Sequence, residues 1–124
     1  MKISEIAKIL NGSVLCCGEH TCGEVFSACG SDMMSDVLAY VKNQALLLTG
    51  LVSPHAIRTA EMMDMKCVAF VRDKTPGEDI LALARKHGIV VIKTALRMYE
   101  ACGLLFAGGL RGDIDTDINA GVCG

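Results

Sequence analysis

Cys16, Cys17, His20 and Cys22 place three thiols and one imidazole within seven residues. Thiolate and imidazole are zinc ligands, and three thiolates could hold part of an iron–sulfur cluster, so this group is the strongest metal candidate. Its spacing argues the other way, because the chain has no Cys-x-x-Cys and no second ligand pair at finger spacing. Cys16 lies in an apolar run, where a free Cys behaves as a small hydrophobe. Cys29, Cys67 and Cys102 fall on strands or an apolar helical face and read as core, and Cys123 reads as a reactive thiol. Seven cysteines with no secretory signal point to reduced thiols, a cytoplasmic setting and no cofactor.

Other constellations are thinner. Asp113, Asp115 and Asp117 start like a calcium loop, but Ile118 stands where the loop needs Gly and Gly124 where it needs Glu. Met33, Met34, Met62, Met63 and Met65 read as core and interface filler. His55 opens a helix; its imidazole either contacts a ligand or faces solvent. Neither Gly-x-x-x-x-Gly-Lys-Ser/Thr nor Gly-x-Gly-x-x-Gly occurs, so phosphoryl transfer and dinucleotide chemistry are not expected, and the chain reads as a non-enzyme.

The elements that would position these residues follow from periodicity. Three apolar runs without alternation, residues 45–48, 67–71 and 89–92, suit strands buried on both faces. Between them lie two helix signatures, each with Pro at the first helical position: Ser53-Pro54, and Thr75-Pro76-Gly77-Glu78 read as a capping box. Strand–helix–strand–helix–strand is the pattern of a parallel sheet with crossover helices. Before this unit, a helix capped by Ser4 and ended by Gly12 in the left-handed conformation precedes strands at 13–17 and 24–29. A helix with the stripe Met33, Met34, Val37, Leu38 and Val41 follows, ended by Asn43-Gln44. After the unit, Thr94 is read as the cap of a last helix with the stripe Met98, Cys102, Leu105 and Phe106. Residues 1–107 form one α/β domain, and 108–124 read as a tail or an arm laid on a partner.

This topology gathers small polar residues on one edge. Ser31 and Asp32 follow the second strand, Thr49 and Gly50 the third, Arg72, Asp73, Lys74 and Thr75 the fourth, and Lys93 and Thr94 the fifth. With His55 they are the candidate ligand site, since ligands of open α/β sheets bind beyond the carboxyl ends of the strands. Three of the segments open helices, which favours anions, with Arg72 as a bidentate clamp and Lys74 as a point charge.

Several strings resemble the DRTGG domain: Ser31-Asp32-Met33-Met34-Ser35-Asp36-Val37-Leu38-Ala39, Leu48-Thr49-Gly50, Ile57-Arg58-Thr59-Ala60, and the run 66–94. That domain is similar to the N-terminal domain of HPr kinase/phosphorylase. The resemblance covers residues 1–107 and implies a three-layer α/β/α domain with a mixed sheet of five strands. It also implies pairing into dimers and a regulatory or sensing role. The chain departs from the family pattern in two places: Val71-Arg72-Asp73 replaces Thr-Gly-Gly, and Val52-Ser53-Pro54-His55 replaces Gly-Asp-Arg.

Composition agrees with a partner-covered body. Hydrophobic residues make up 52%, aromatics only 4%, and the mean hydropathy is +0.42, a surplus that a second copy would cover. The net charge is −2 and no basic cluster suits nucleic acid, since Arg85-Lys86-His87 closes a helix where cations favour the dipole. No apolar run approaches a membrane span. The expected function is binding: a dimeric module sensing a nucleotide or other small anion, or docking a protein partner. The alternative is a thiol-based metal or iron–sulfur carrier using Cys16, Cys17, His20 and Cys22.

Overall fold

A computed structural model describes residues 1–40 and 45–112. Five helices and five strands run through them: α1 (Ile3–Ile9), β1 (Ser13–Cys16), β2 (Ser27–Gly30), α2 (Met34–Tyr40), β3 (Ala45–Thr49), α3 (Pro54–Met62), β4 (Cys67–Phe70), α4 (Glu78–His87), β5 (Val90–Lys93) and α5 (Met98–Ala107). A short 3₁₀ turn, Gly18–His20, follows β1. Val41, Asn43 and Gln44, and the aspartates from Asp113 onward, lie outside the described residues.

The sheet runs in the order β1-β5-β4-β3-β2. The four strands β2 to β5 are parallel, and β1 closes the edge antiparallel to β5. This is the expected mixed α/β sheet. Helices α2, α3 and α4 pack together on one face, and α1 with α5 covers the other. Every residue of β3 and β4 is buried, as their unalternating sequences require for strands covered on both sides. The core is aliphatic, with Phe70 the largest fully buried side chain.

The crossover unit forms as its local signals dictate. Ser53 caps α3 by accepting from the His55 N–H at 3.0 Å, with Pro54 at the first helical position. Gly88 ends α4 in the left-handed conformation, φ +67.

Elsewhere tertiary contacts displace the local expectations. Helix α1 begins at Ile3 without a side-chain cap, so Ser4 lies inside its first turn. The free N–H groups of Ile3 and Ser4 donate instead to the carbonyls of Gly23 and Thr21, each at 3.0 Å. Asn11, not Gly12, takes the positive φ after α1. Strand β1 ends at Cys16 because Cys17 turns left-handed, φ +59. Residues 24–26 precede β2 rather than belong to it; Glu24 only bridges to Lys2. The Thr75 box does not form: α4 starts at Glu78 with Gly77 at its cap. Likewise α5 starts at Met98, and Thr94 does not cap it. Of the apolar stripe of α2, Met34 and Val37 are buried while Met33 and Leu38 face out. The described residues beyond α5 stay on the body: Leu110 is buried, and the Ala28 N–H donates to the Arg111 carbonyl at 3.0 Å, covering the free side of β2.

Candidate ligand site at the carboxyl ends of the strands

The strand ends meet around one carboxylate. Asp32, just past β2, accepts at Oδ1 from the Gly50 N–H at 2.7 Å and from Thr49 Oγ1 at 3.2 Å. Its other oxygen, Oδ2, lies 3.7 Å from Arg72 Nη2. Lys74 Nζ donates to the Gly50 carbonyl at 2.9 Å. Thr49 Oγ1 also accepts from the Leu51 N–H at 3.0 Å, which shapes the turn leaving β3. Asp32, Thr49, Gly50, Arg72 and Lys74 are thus one hydrogen-bonded and ion-paired group spanning the ends of β2, β3 and β4.

The absence of a side chain at Gly50 makes this arrangement possible. A Cβ there would fall 2.0 Å from Arg72 Nη2 and 2.8 Å from Cζ, so the guanidinium lies directly over the glycine. Arg72 reaches that place because the chain after β4 turns through two successive left-handed residues, Arg72 (φ +64) and Asp73 (φ +57). Each such conformation costs roughly 1–2 kcal/mol for a residue with a side chain. The turn is held by the Arg72 N–H donating to the Leu96 carbonyl at 2.8 Å and the Asp73 N–H donating to the Thr94 carbonyl at 2.9 Å. Asp73 in turn pairs with Lys93 at 3.5 Å.

The Arg72–Asp32 pair is not buried. Side-chain exposure is 46% for Arg72 and 53% for Asp32, so their pair contributes on the order of 0–1 kcal/mol to stability. Its value is positional: it holds a guanidinium and a carboxylate at the mouth of the sheet.

The remaining expected residues are placed differently. Ser31 turns on itself, its Oγ accepting from the Met33 N–H at 3.0 Å. Thr94 is buried and donates to the Leu10 carbonyl at 2.8 Å, so its hydroxyl ties the end of β5 to α1 while only its carbonyl serves the Arg72–Asp73 turn. The His55 and Thr75 side chains are exposed and make no hydrogen bond to the Asp32 group among the described residues.

The four metal-type residues near β1 do not converge. Cys16 and Cys17 point to the Ile89 and Ala84 carbonyls at 3.5 and 4.0 Å, while Cys22 is exposed. The His20 ring lies by Gly88 and 3.7 Å from a Glu19 oxygen. Among the described residues no three His, Cys, Asp or Glu side chains are set to hold a metal ion. Burial first, and then the neighbouring Cys16, pushes the Cys17 thiol up to about 11 and raises the Cys67 thiol as well. Burial also raises Cys29 and Cys102.

A feature the sequence did not announce is a cleft of about 530 Å³ at the opposite, amino edge of the sheet, lined by Glu19, His20, Glu24, Lys66 and His87 among others. Its walls come from the turn after β1, the approach to β2 and the end of α4, segments distant in sequence and polar for unrelated local reasons.

No protein-family model matches the chain, and no curated protein matches it. Among solved structures it is similar to the CBS and DRTGG domains of the regulatory region of Clostridium perfringens pyrophosphatase, determined in complex with the activator diadenosine tetraphosphate. The TM-score is 0.69 at 18% identity, over 84% of this chain and 45% of that one. The likeness is one of fold, and it supports the DRTGG-like architecture. The chain spans less than half of the neighbour's length. No described helix is long and apolar enough to cross a membrane.

Proposed function

We propose that this chain is a regulatory module that senses a phosphate-bearing small molecule, a nucleotide in the first instance, at the carboxyl edge of its sheet. The observation that carries this reading is the guanidinium of Arg72, held over side-chain-free Gly50 by two left-handed residues, with Lys74 fixed to the same glycine's carbonyl. Strained backbone that orients charged groups at an open strand edge is characteristic of binding sites. Phosphate is a natural match for a guanidinium and an ammonium on one loop. Asp32 pairs with Arg72, and an arriving phosphate would exchange with that carboxylate. The exchange would release the turn between β2 and α2, giving the site a structural response to ligand. A regulatory neighbour crystallised with a nucleotide activator is consistent with this class of ligand.

Calorimetry with ATP, ADP, diadenosine tetraphosphate and inorganic phosphate tests the proposal. Arg72→Ala with Lys74→Ala should weaken nucleotide binding at least tenfold, whereas Asp32→Asn, which removes the competing charge, should strengthen it. Undiminished binding by the double variant would move the site elsewhere, the amino-edge cleft being the next place to look.

We also propose that the module is a homodimer joined through α5. That helix buries Ala101 and Leu105 but turns Tyr99 (86% exposed) and Phe106 (58%) outward, with Leu104 beside them. Light scattering during size exclusion should give twice the 13.2 kDa chain mass at micromolar concentration. Tyr99→Glu with Phe106→Glu should give the single-chain mass; a monomeric wild type would remove the interface.

A further inference from the structure

Cys16 and Cys17 are neighbours in sequence, and on a regular strand their side chains would point to opposite faces. Here they do not. The register of β1 against β5 shifts between Val14 and Cys16, and Cys17 turns left-handed, φ +59. The His20 N–H donates to the Cys17 carbonyl at 2.9 Å and holds that turn. Both thiols therefore aim at the end of α4. The Cys16 thiol points to the Ile89 carbonyl, the Cys17 thiol to the Ala84 carbonyl, and the Ile89 N–H itself donates to the Ala84 carbonyl at 2.9 Å, so the two targets are one small patch. Each residue is 8% exposed, shielded from bulk water but reachable at the surface.

We propose that Cys16 and Cys17 form a two-thiolate site for a soft, two-coordinate monovalent cation of the Cu(I) type. Soft thiolates select such an ion. Zinc and iron–sulfur clusters need more ligands, and no third metal-binding side chain converges among the described residues. Two ligands on adjacent residues need no further chain closure to meet, so the site is assembled once the turn forms. Two thiolates with one monovalent cation carry a net negative charge, and α4 ends beside them in the basic residues Arg85, Lys86 and His87. Binding breaks two S–H bonds, forms two Cu–S bonds and releases two protons to buffer; copper enters and stays as Cu(I), and no oxidant takes part.

The test is an anaerobic titration of the full chain with Cu(I) supplied as its bicinchoninate complex, read by loss of the complex's absorbance. The wild type is expected to withdraw one Cu(I) per chain. Cys17→Gly, whose residue suits a positive φ and so keeps the turn, should lose affinity at least tenfold, as should Cys16→Ser. Cys22→Ser and Cys67→Ala should retain it. The site is refuted by a wild type that withdraws no copper, by Cys17→Gly withdrawing copper as the wild type does, or by a loss in Cys22→Ser or Cys67→Ala.

Discussion

Replacing Phe70 with Ala should lower the stability of the domain by about 3–5 kcal/mol, the range for removing a fully buried aromatic ring. Phe70 is 0% exposed and lies on β4, the middle strand of the five, paired with Thr49 on one side and Lys93 on the other. Few neighbours could close over the void, because among the described residues the core holds no other fully buried ring and its branched aliphatic side chains are committed to their own places. Against a total of about 5–15 kcal/mol for an ordinary domain, such a loss leaves little in reserve. Urea denaturation should show a large drop in the midpoint with the slope unchanged. Phe70→Leu, which keeps most of the volume, should cost under about 1.5 kcal/mol. The effect should reach the candidate site, because the Phe70 carbonyl accepts from the Thr94 N–H at 3.0 Å and the Thr94 carbonyl holds the Arg72–Asp73 turn. A loss of less than about 1 kcal/mol for Phe70→Ala would mean that the ring is not packed as described.

The crossover unit was legible because its signals are local. Residues 45–48 and 67–71 are apolar without alternation, as doubly covered strands are, and Ser53-Pro54 and Gly88 mark helix ends through backbone conformation. Two of the misread caps, Ser4 and Thr94, share one cause. Ser4 and Thr94 are good cap residues, but the α1 N–H groups find the Gly23 and Thr21 carbonyls, and the Thr94 hydroxyl finds Leu10, partners far away in the chain, whereas Thr75 is left out because α4 starts later, with Gly77 at its cap. A distant acceptor that satisfies an N–H removes the need for a side-chain cap, and no sequence window contains it.

The candidate site divides the same way. That Asp32, Thr49, Gly50, Arg72 and Lys74 share one edge follows from strand order, since parallel strands deliver all their carboxyl ends to one side. That Asp32 already occupies Arg72, and that Gly50 matters for what it lacks, depends on two left-handed residues at positions where nothing local asks for them. That the Cys16 and Cys17 thiols both face the end of α4 is hidden for the same reason: period-two reasoning sends them to opposite faces, and the register shift before Cys16 and the positive φ of Cys17 turn them the same way.

Gly12→Ala should destabilise the domain by about 1–3 kcal/mol through overpacking. Gly12 does not hold a positive φ; Asn11 does, at +48. An Ala side chain is therefore compatible with the backbone at position 12, and the cost comes from contact alone. A Cβ there would sit 2.7 Å from Ile92 Cγ2 and 2.9 Å from the Lys93 carbonyl oxygen. The second neighbour is backbone of β5, and the next residue, Ser13, pairs with Lys93. Making room thus means separating β1 from β5 at the point where the antiparallel strand joins the sheet. The comparison that isolates this cause is a double-mutant cycle with Ile92→Ala, which removes the closer of the two contacts. Because the residues touch, their effects should not add, and Gly12→Ala should cost measurably less in the Ile92→Ala background, by about 0.5 kcal/mol or more. Asn11→Gly should stay within about 0.5 kcal/mol of wild type, since glycine and asparagine both accept the left-handed conformation. Additive costs in the cycle, or a large loss from Asn11→Gly beside a harmless Gly12→Ala, would show that β1 does not approach β5 at Gly12 as closely as described.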